Sequence, residues 1–369
     1  MNILIAPDSF KGTLTASEVC DIIGRAFEDE IKNITVTKLP VADGGEGLCS
    51  CIKEIAGGED ISVNVSGVFG EKMNAVYLML PDKTAVIETA SCAGLPLAGS
   101  RKNPALTTTR GVGEMILDAV SRGARKILLG LGGSATNDCG AGMAAGLGYV
   151  FLDKDGNSVE PTGGNLSVID SIFVPDSRIQ IPVTAACDVE NPLYGENGAA
   201  YIFAPQKGAD EECVELLDRG LRSFARVIEK TFGADVSDMR GAGAAGGLGA
   251  GAVVFLDAVL KKGIDIILDI TDFDKKLERA DLVITGEGRL DFQSVNGKVI
   301  SGVAERAARK NKKVITICGC RGEGAEEIRK LGVSESYYSC PVPKPFEEVK
   351  AHCREDLYLA AREAARQNS

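Results

Sequence analysis

The chain has no tryptophan and a single histidine, His352, in 369 residues. With aromatics at 5%, the lack of Trp leaves little surface on which bases would stack, so single-strand nucleic-acid binding is not expected. One histidine removes most Ser-His-Asp, Cys-His and histidine-ligand schemes at once. Positive charge is also scarce: 41 Lys and Arg against 52 Asp and Glu leave a net charge of −11. The only basic cluster is 310–313, which argues against nucleic acid as the main partner. The 11 cysteines form no C-x-x-C pair, so a zinc site is not expected. Residues 1–8 show no basic n-region or cleavage site, and free thiols fit a reducing compartment, so the expectation is a cytoplasmic protein. The longest low-charge stretch, 241–260, contains Asp257 and is too weakly apolar for a membrane span of about 20 residues. It reads as a glycine loop followed by a buried helix. No tandem repeat is visible.

Glycine is abundant, with 44 residues, about 12% against a usual value of about 7%. An apolar fraction of 44% and a charged fraction of 25% are those of a globular protein. At roughly 100–200 residues per domain the length suggests two or three domains. Residues 2–6 form a short apolar run ended by Pro7, as in a buried parallel strand. Helical spacing over 15–30, a strand at 34–39 and a helix at 47–55 make a βαβα opening. The middle differs: 61–68, 75–80 and 84–88 look like strands joined by tight turns in antiparallel style. Further strands are expected at 126–129 and 182–186, with helices at 111–122, 141–147 and 213–230. The doubly wound style returns with strands at 282–285 and 313–318 and helices at 298–309, 325–331 and 355–367. The expected fold class is therefore α/β. One parallel-sheet domain comes from both chain ends (1–65 with 265–369), and a second α/β domain is inserted at 66–264.

Ligands of open α/β sheets bind beyond the carboxyl ends of the strands. There the sequence is polar and rich in glycine: Pro7-Asp8-Ser9-Phe10-Lys11-Gly12, Ala42-Asp43-Gly44-Gly45-Glu46-Gly47, Gly130 to Asp138, Cys187 to Pro192, and Thr285 to Asp291. One such loop is an ordinary turn. Five, each with a carboxylate or hydroxyl, point to a ligand edge. Gly132–Asn137 resembles a phosphate cradle, because small residues let backbone N–H groups approach an anion. It is not a Walker A loop. Residues 243–249 are a second candidate cradle or, equally, a close-packing surface. The carboxylates Asp8, Asp43, Glu46, Asp138, Asp188, Glu287 and Asp291 suggest hard-cation chemistry of the Mg²⁺ kind. Lys11, Arg289, Lys207 and Lys298 are candidates to neutralise a phosphate or grip a carboxylate, each with the alternative of a solvated surface residue.

Together these segments resemble the bacterial glycerate kinases of type I. The match runs in order through most of the chain: residues 6–16 (APDSFKGTLTA), 41–47 (VADGGEG), 131–142 (LGGSATNDCGAG), 187–200, 204–209 (APQKGA), 241–251 and 285–294 (TGEGRLDFQS). The resemblance implies two α/β domains, one flavodoxin-like, with a cleft between them. It also implies ATP-dependent phosphorylation of D-glycerate to 2- or 3-phosphoglycerate, with Mg²⁺, in organic-acid (glyoxylate and glucarate) breakdown. Cys139 stands where a glycine is expected, Ala204 replaces another, and Val299-Ile300 depart from the pattern after Lys298.

On this reading Asp188 or Asp291 is the base and both are metal ligands, while Lys11 contacts an anion. Asp8, Ser9, Asp43 and Arg289 hold substrate. Gly132, Gly133, Ser134, Thr136, Asn137 and Glu287 hold phosphate or nucleotide. The partners are ATP and D-glycerate, with no nucleic acid or membrane, and a homodimer is left open. Two rivals stand beside it. One is a kinase for another small hydroxy acid or polyol. The other is a non-catalytic ligand sensor, for which no DNA-reading element is found.

Overall fold

The computed structural model describes residues 1–41, 47–295, 299–342 and 344–369. The chain divides into two compact units, Met1–Gly44 with Lys262–Ser369, and Gly45–Lys261. The first boundary thus falls near 44, not 65. Residues 47–65 join the second unit because their contacts lie there. Glu88 Oε1 accepts hydrogen bonds from the Gly47 and Leu48 N–H groups (3.1 and 3.0 Å) at the start of the helix Leu48–Ala56. The strand Glu59–Ser66 pairs antiparallel with Lys72–Met79.

The first unit holds a five-stranded parallel sheet. In chain order its strands are Asn2–Ile5, Thr35–Lys38, Leu282–Thr285, Lys313–Cys318 and Val333–Tyr338. In space they run second, first, third, fourth, fifth, which is the flavodoxin-like order. The apolar runs Ile3-Leu4-Ile5 and Leu282-Val283-Ile284 are buried without alternation, as strands covered on both faces must be. The helix Ala16–Glu30 starts with a capping box: Thr15 Oγ1 accepts from Glu18 N (3.2 Å), and the Glu18 carboxylate accepts from Thr15 N (2.9 Å). Its Val19, Ile22, Ile23 and Phe27 are buried in the core of this unit, each side chain contributing about 1.5–3 kcal/mol. The terminal helix Phe346–Gln367 buries Leu357, Ala361 and Ala364 in the same core. It begins nine residues before the predicted 355, because its first turns are exposed and carry no apolar stripe. Residues Ala325–Leu331 form a 3-10 helix rather than an α-helix, closed at both ends by left-handed glycines, Gly324 and Gly332.

The second unit carries a six-stranded mixed sheet, ordered Val259–Lys261, Val183–Ala186, Lys126–Gly130, Thr84–Glu88, Lys72–Met79, Glu59–Ser66. Neighbours among the first four are parallel; the last two strands join antiparallel, as the turn chemistry of 61–88 predicts. Its core includes Tyr149, Phe151, Phe224 and Phe255, with Phe255 edge-on to Tyr149 at 5.2 Å between centroids.

Candidate functional sites

In the first unit the sheet order reverses between Asn2–Ile5 and Leu282–Thr285. Connections leave these two strands in opposite directions, which opens a crevice at their carboxyl ends. The loops that follow are laced together there. Thr285 Oγ1 donates to Ala6 O (2.8 Å), and Asp8 N donates to Gly286 O (2.8 Å). Gly286 admits no side chain, because a Cβ would stand 1.9 Å from Ile317 O. The edge carries six of the residues named from sequence. Asp8 is buried, and its Oδ1 accepts from Ser9 N (2.6 Å) and Ser9 Oγ (3.3 Å). Glu287 is also buried. Asp291 is partly buried, with Arg289 Nε 3.6 Å from its carboxylate and its own N–H donated to Ser294 Oγ (3.0 Å). Lys11 and Arg289 are exposed. Asp43, Glu46 and Lys298 lie outside the described residues.

In the second unit the loop after Lys126–Gly130 begins in solvent and turns inward. Gly132 and Gly133 are exposed, with Gly133 left-handed (φ 73°); Ser134 through Asp138 are buried. Asp138 accepts hydrogen bonds from Thr109 N (2.7 Å), Thr109 Oγ1 (2.8 Å), Gly140 N (3.1 Å) and Gly142 N (3.3 Å). Thr109 Oγ1 accepts from Met143 N (2.8 Å), so its proton goes to the carboxylate. Burial pushes the Asp138 carboxyl above the ordinary range, against the pull of these four donors. Asp138 therefore ties the loop to Thr109 at the head of the helix Arg110–Ser121, and protein donors engage both of its oxygens, whereas its sequence setting suggests a cation. Thr109 escaped the sequence reading; its only signal was a run of three threonines just before a helix.

Lys207 is 3% exposed. Its Nζ donates to Ser134 Oγ (3.0 Å) and Thr136 O (2.7 Å), so the surface alternative for this lysine falls. Burial pushes its ammonium down to about 7, partly opposed by Asp138. Among the described residues, Thr136 Oγ1 and both polar atoms of the buried Asn137 amide have no hydrogen-bond partner. Cys139 is buried in the left-handed region (φ 54°), which explains why a glycine is expected there. The glycine run 243–249 proves to be a packing surface. Ala245, Gly246 and Gly247 are left-handed (φ 54°, 71° and 90°), and a Cβ on Gly246 would stand 2.0 Å from Thr136 O.

Asp188 is exposed on the loop after Val183–Ala186, in the second unit, whereas Asp291 belongs to the first. Glu287 likewise belongs to the first unit and not to the one that carries Gly132–Asn137. No three His, Cys, Asp or Glu gather as a metal cage among the described residues. A Mg²⁺ ion needs no such cage, since it takes one or two carboxylates and completes its shell with phosphate oxygens and water. Among the described residues no helix is long and apolar enough to cross a membrane.

A model of the glycerate kinase family matches residues 3–369. The chain is 43% identical over 370 residues to the glycerate kinase of Bacillus subtilis (strain 168), covering 99% of this chain and 97% of that protein. It is 44% identical over 338 residues to the glycerate 2-kinase of Escherichia coli (strain K12), covering 90% and 89%. A crystal structure from Salmonella typhimurium LT2, named as a glycerate kinase 2, superposes with a TM-score of 0.84 at 39% identity, covering 100% of this chain and 98% of that one.

Proposed function

This chain belongs to the glycerate kinase family, and we propose that it transfers the γ-phosphoryl group of ATP to the 2-hydroxyl of D-glycerate, with Mg²⁺. The observation that carries the reading is that the loops bearing Lys11 and the Arg289–Asp291 pair adjoin at the reversal point of the first sheet, where a Cβ on Gly288 would stand 3.5 Å from Lys11 N. Glycerate is a small anion with a hydroxyl beside its carboxylate. Two cations there suit the carboxylate, and one carboxylate suits the hydroxyl proton. The product assignment follows the name of the E. coli relative, glycerate 2-kinase.

Phosphoryl transfer requires positioning and charge neutralisation more than covalent chemistry. Lys11 and Arg289 bind the glycerate carboxylate, with Asp8 and Ser9 shaping the loop around it. Asp291 accepts the proton of the attacking hydroxyl. In the second unit Gly132 to Asn137 hold phosphate: the exposed glycines let an anion approach the backbone, and the polar atoms of Thr136 and Asn137 have capacity left. Asp188 would supply a carboxylate to Mg²⁺, which when bound would neutralise phosphate charge. All eleven cysteines are free thiols, which fits a cytoplasmic enzyme.

The test is ADP release with D-glycerate in a coupled assay, followed by NMR of the product. The expected product carries phosphate on the 2-oxygen. ADP release with another hydroxy acid or polyol, and none with D-glycerate, overturns the reading.

A further inference from the structure

We propose that Lys207 is a positioning residue for phosphoryl transfer, holding the Ser134 hydroxyl so that its proton points to a nucleotide phosphate. This rests on reading Gly132–Asn137 as the phosphate loop.

The direction of Lys207 is set by its surroundings. It ends the 3-10 turn Pro205–Lys207, and Gly208 follows in the left-handed region (φ 96°). A Cβ on Gly208 would stand 2.5 Å from Lys102 O, so only glycine fits the turn that follows Lys207. The side chain runs inward to Ser134 and Thr136. Burying an ammonium is costly, and packing alone would be served better by Met or Leu.

Hydrogen-bond chemistry then decides the role of Ser134. An ammonium only donates, so Ser134 Oγ accepts from it and keeps one proton to give. Among the described residues no group accepts that proton. Ser134 directly follows the exposed Gly132-Gly133 pair, where an anion has access. A hydroxyl polarised by an ammonium is a stronger donor, and a phosphate oxygen is the acceptor that completes the chain.

The arrangement depends on the lysine charge. A neutral amine no longer polarises the Ser134 hydroxyl, and its lone pair competes with the ligand for the hydroxyl proton. Burial brings this change into the neutral range, at about 7. Among the described residues Asp138 is the charged group that acts on Lys207, and it favours the protonated form. Lys102, on the segment packed against Gly208, is exposed. Anion binding should therefore weaken as pH rises through 7.

The experiment is inhibition by sulfate, competitive with ATP, measured from pH 6 to 8.5. Sulfate keeps a constant charge over this range, unlike ATP. In the parent enzyme the inhibition constant should rise roughly tenfold, within the usual span of coupled binding equilibria. Lys207→Arg stays charged throughout, and its profile should be flat. Lys207→Met should raise KM for ATP roughly tenfold at pH 6.5, with a smaller change in kcat, and lose the pH dependence. A flat parent profile, an equally steep profile in Lys207→Arg, or a folded Lys207→Met enzyme with the parent KM overturns the role. The parent profile decides by itself if neither variant folds. Ser134→Ala separates this inference from its premise. A raised ATP KM in Ser134→Ala with none in Lys207→Met removes Lys207 alone, whereas unchanged KM in both removes the phosphate-loop reading.

Discussion

The two loop systems use the same residue types for opposite ends. In the first unit Lys11 and Arg289 stand in solvent, and Asp291 is only partly covered. In the second unit Lys207 and Asp138 are buried, and each is held by hydrogen bonds to a distant segment of the same unit. A charge at the surface costs little to keep and remains available to a ligand. A charge under the surface must be partnered, and once partnered it becomes part of the loop's structure. A carboxylate or lysine in a glycine-rich loop therefore says little about its role until its burial is known.

This contrast makes removal of an exposed charge a kinetic event and disturbance of the close packing around the buried loop a stability event. The largest effect is expected from Asp291→Asn, which should lower kcat by about 10²–10⁴, the usual range for general acid–base catalysis. Its thermal midpoint should not move. Asp188→Asn should instead raise KM for Mg-ATP. Steady-state kinetics with both substrates tests the pair, and a folded Asp291→Asn enzyme at the parent rate breaks the assignment. Lys11→Met keeps the stem and removes the charge. It should reduce kcat/KM for D-glycerate by about 3 kcal/mol of transition-state stabilisation, again without loss of stability.

Gly246→Ala tests the other side. It places a Cβ against Thr136 O on a left-handed backbone, and should destabilise the second unit by about 2–3 kcal/mol. Calorimetry should show a lowered transition for that unit, and an unchanged one would mean that the Thr136 backbone yields freely. The smallest effect is expected at His352, which is exposed on the terminal helix and far in sequence from every glycine loop. His352→Ala should cost less than about tenfold in kcat, under roughly 1.4 kcal/mol. A larger loss in a normally folded enzyme would place a functional group outside both loop systems.

Much of this protein is legible along the chain because it is locally encoded. The unbroken apolar runs at 3–5 and 282–284 announce parallel strands. Thr15 and Glu18 announce a helix start. Shorter or more polar elements escape: Val259–Lys261 has three residues, and Val333–Tyr338 is an edge strand with exposed and half-covered positions. The helix Leu48–Ala56 was visible but its allegiance was not, since that rests on Glu88, forty residues away.

The residues alone determined that both loop systems exist and what chemical types they carry, because turns, glycine conformations and apolar runs depend on neighbours in sequence. Tertiary structure decided which of those groups are exposed and which are buried. Asp8 comes to lie beside Gly286 only because the third strand of the first sheet pairs with the first across 279 positions of chain. Lys207 and Asp138 are buried only because 205–208, 107–109 and 243–251 close over the loop that contains Ser134. Burial is a property of contacts between distant segments. The same residue type is therefore open to solvent in one loop and an internal brace in another.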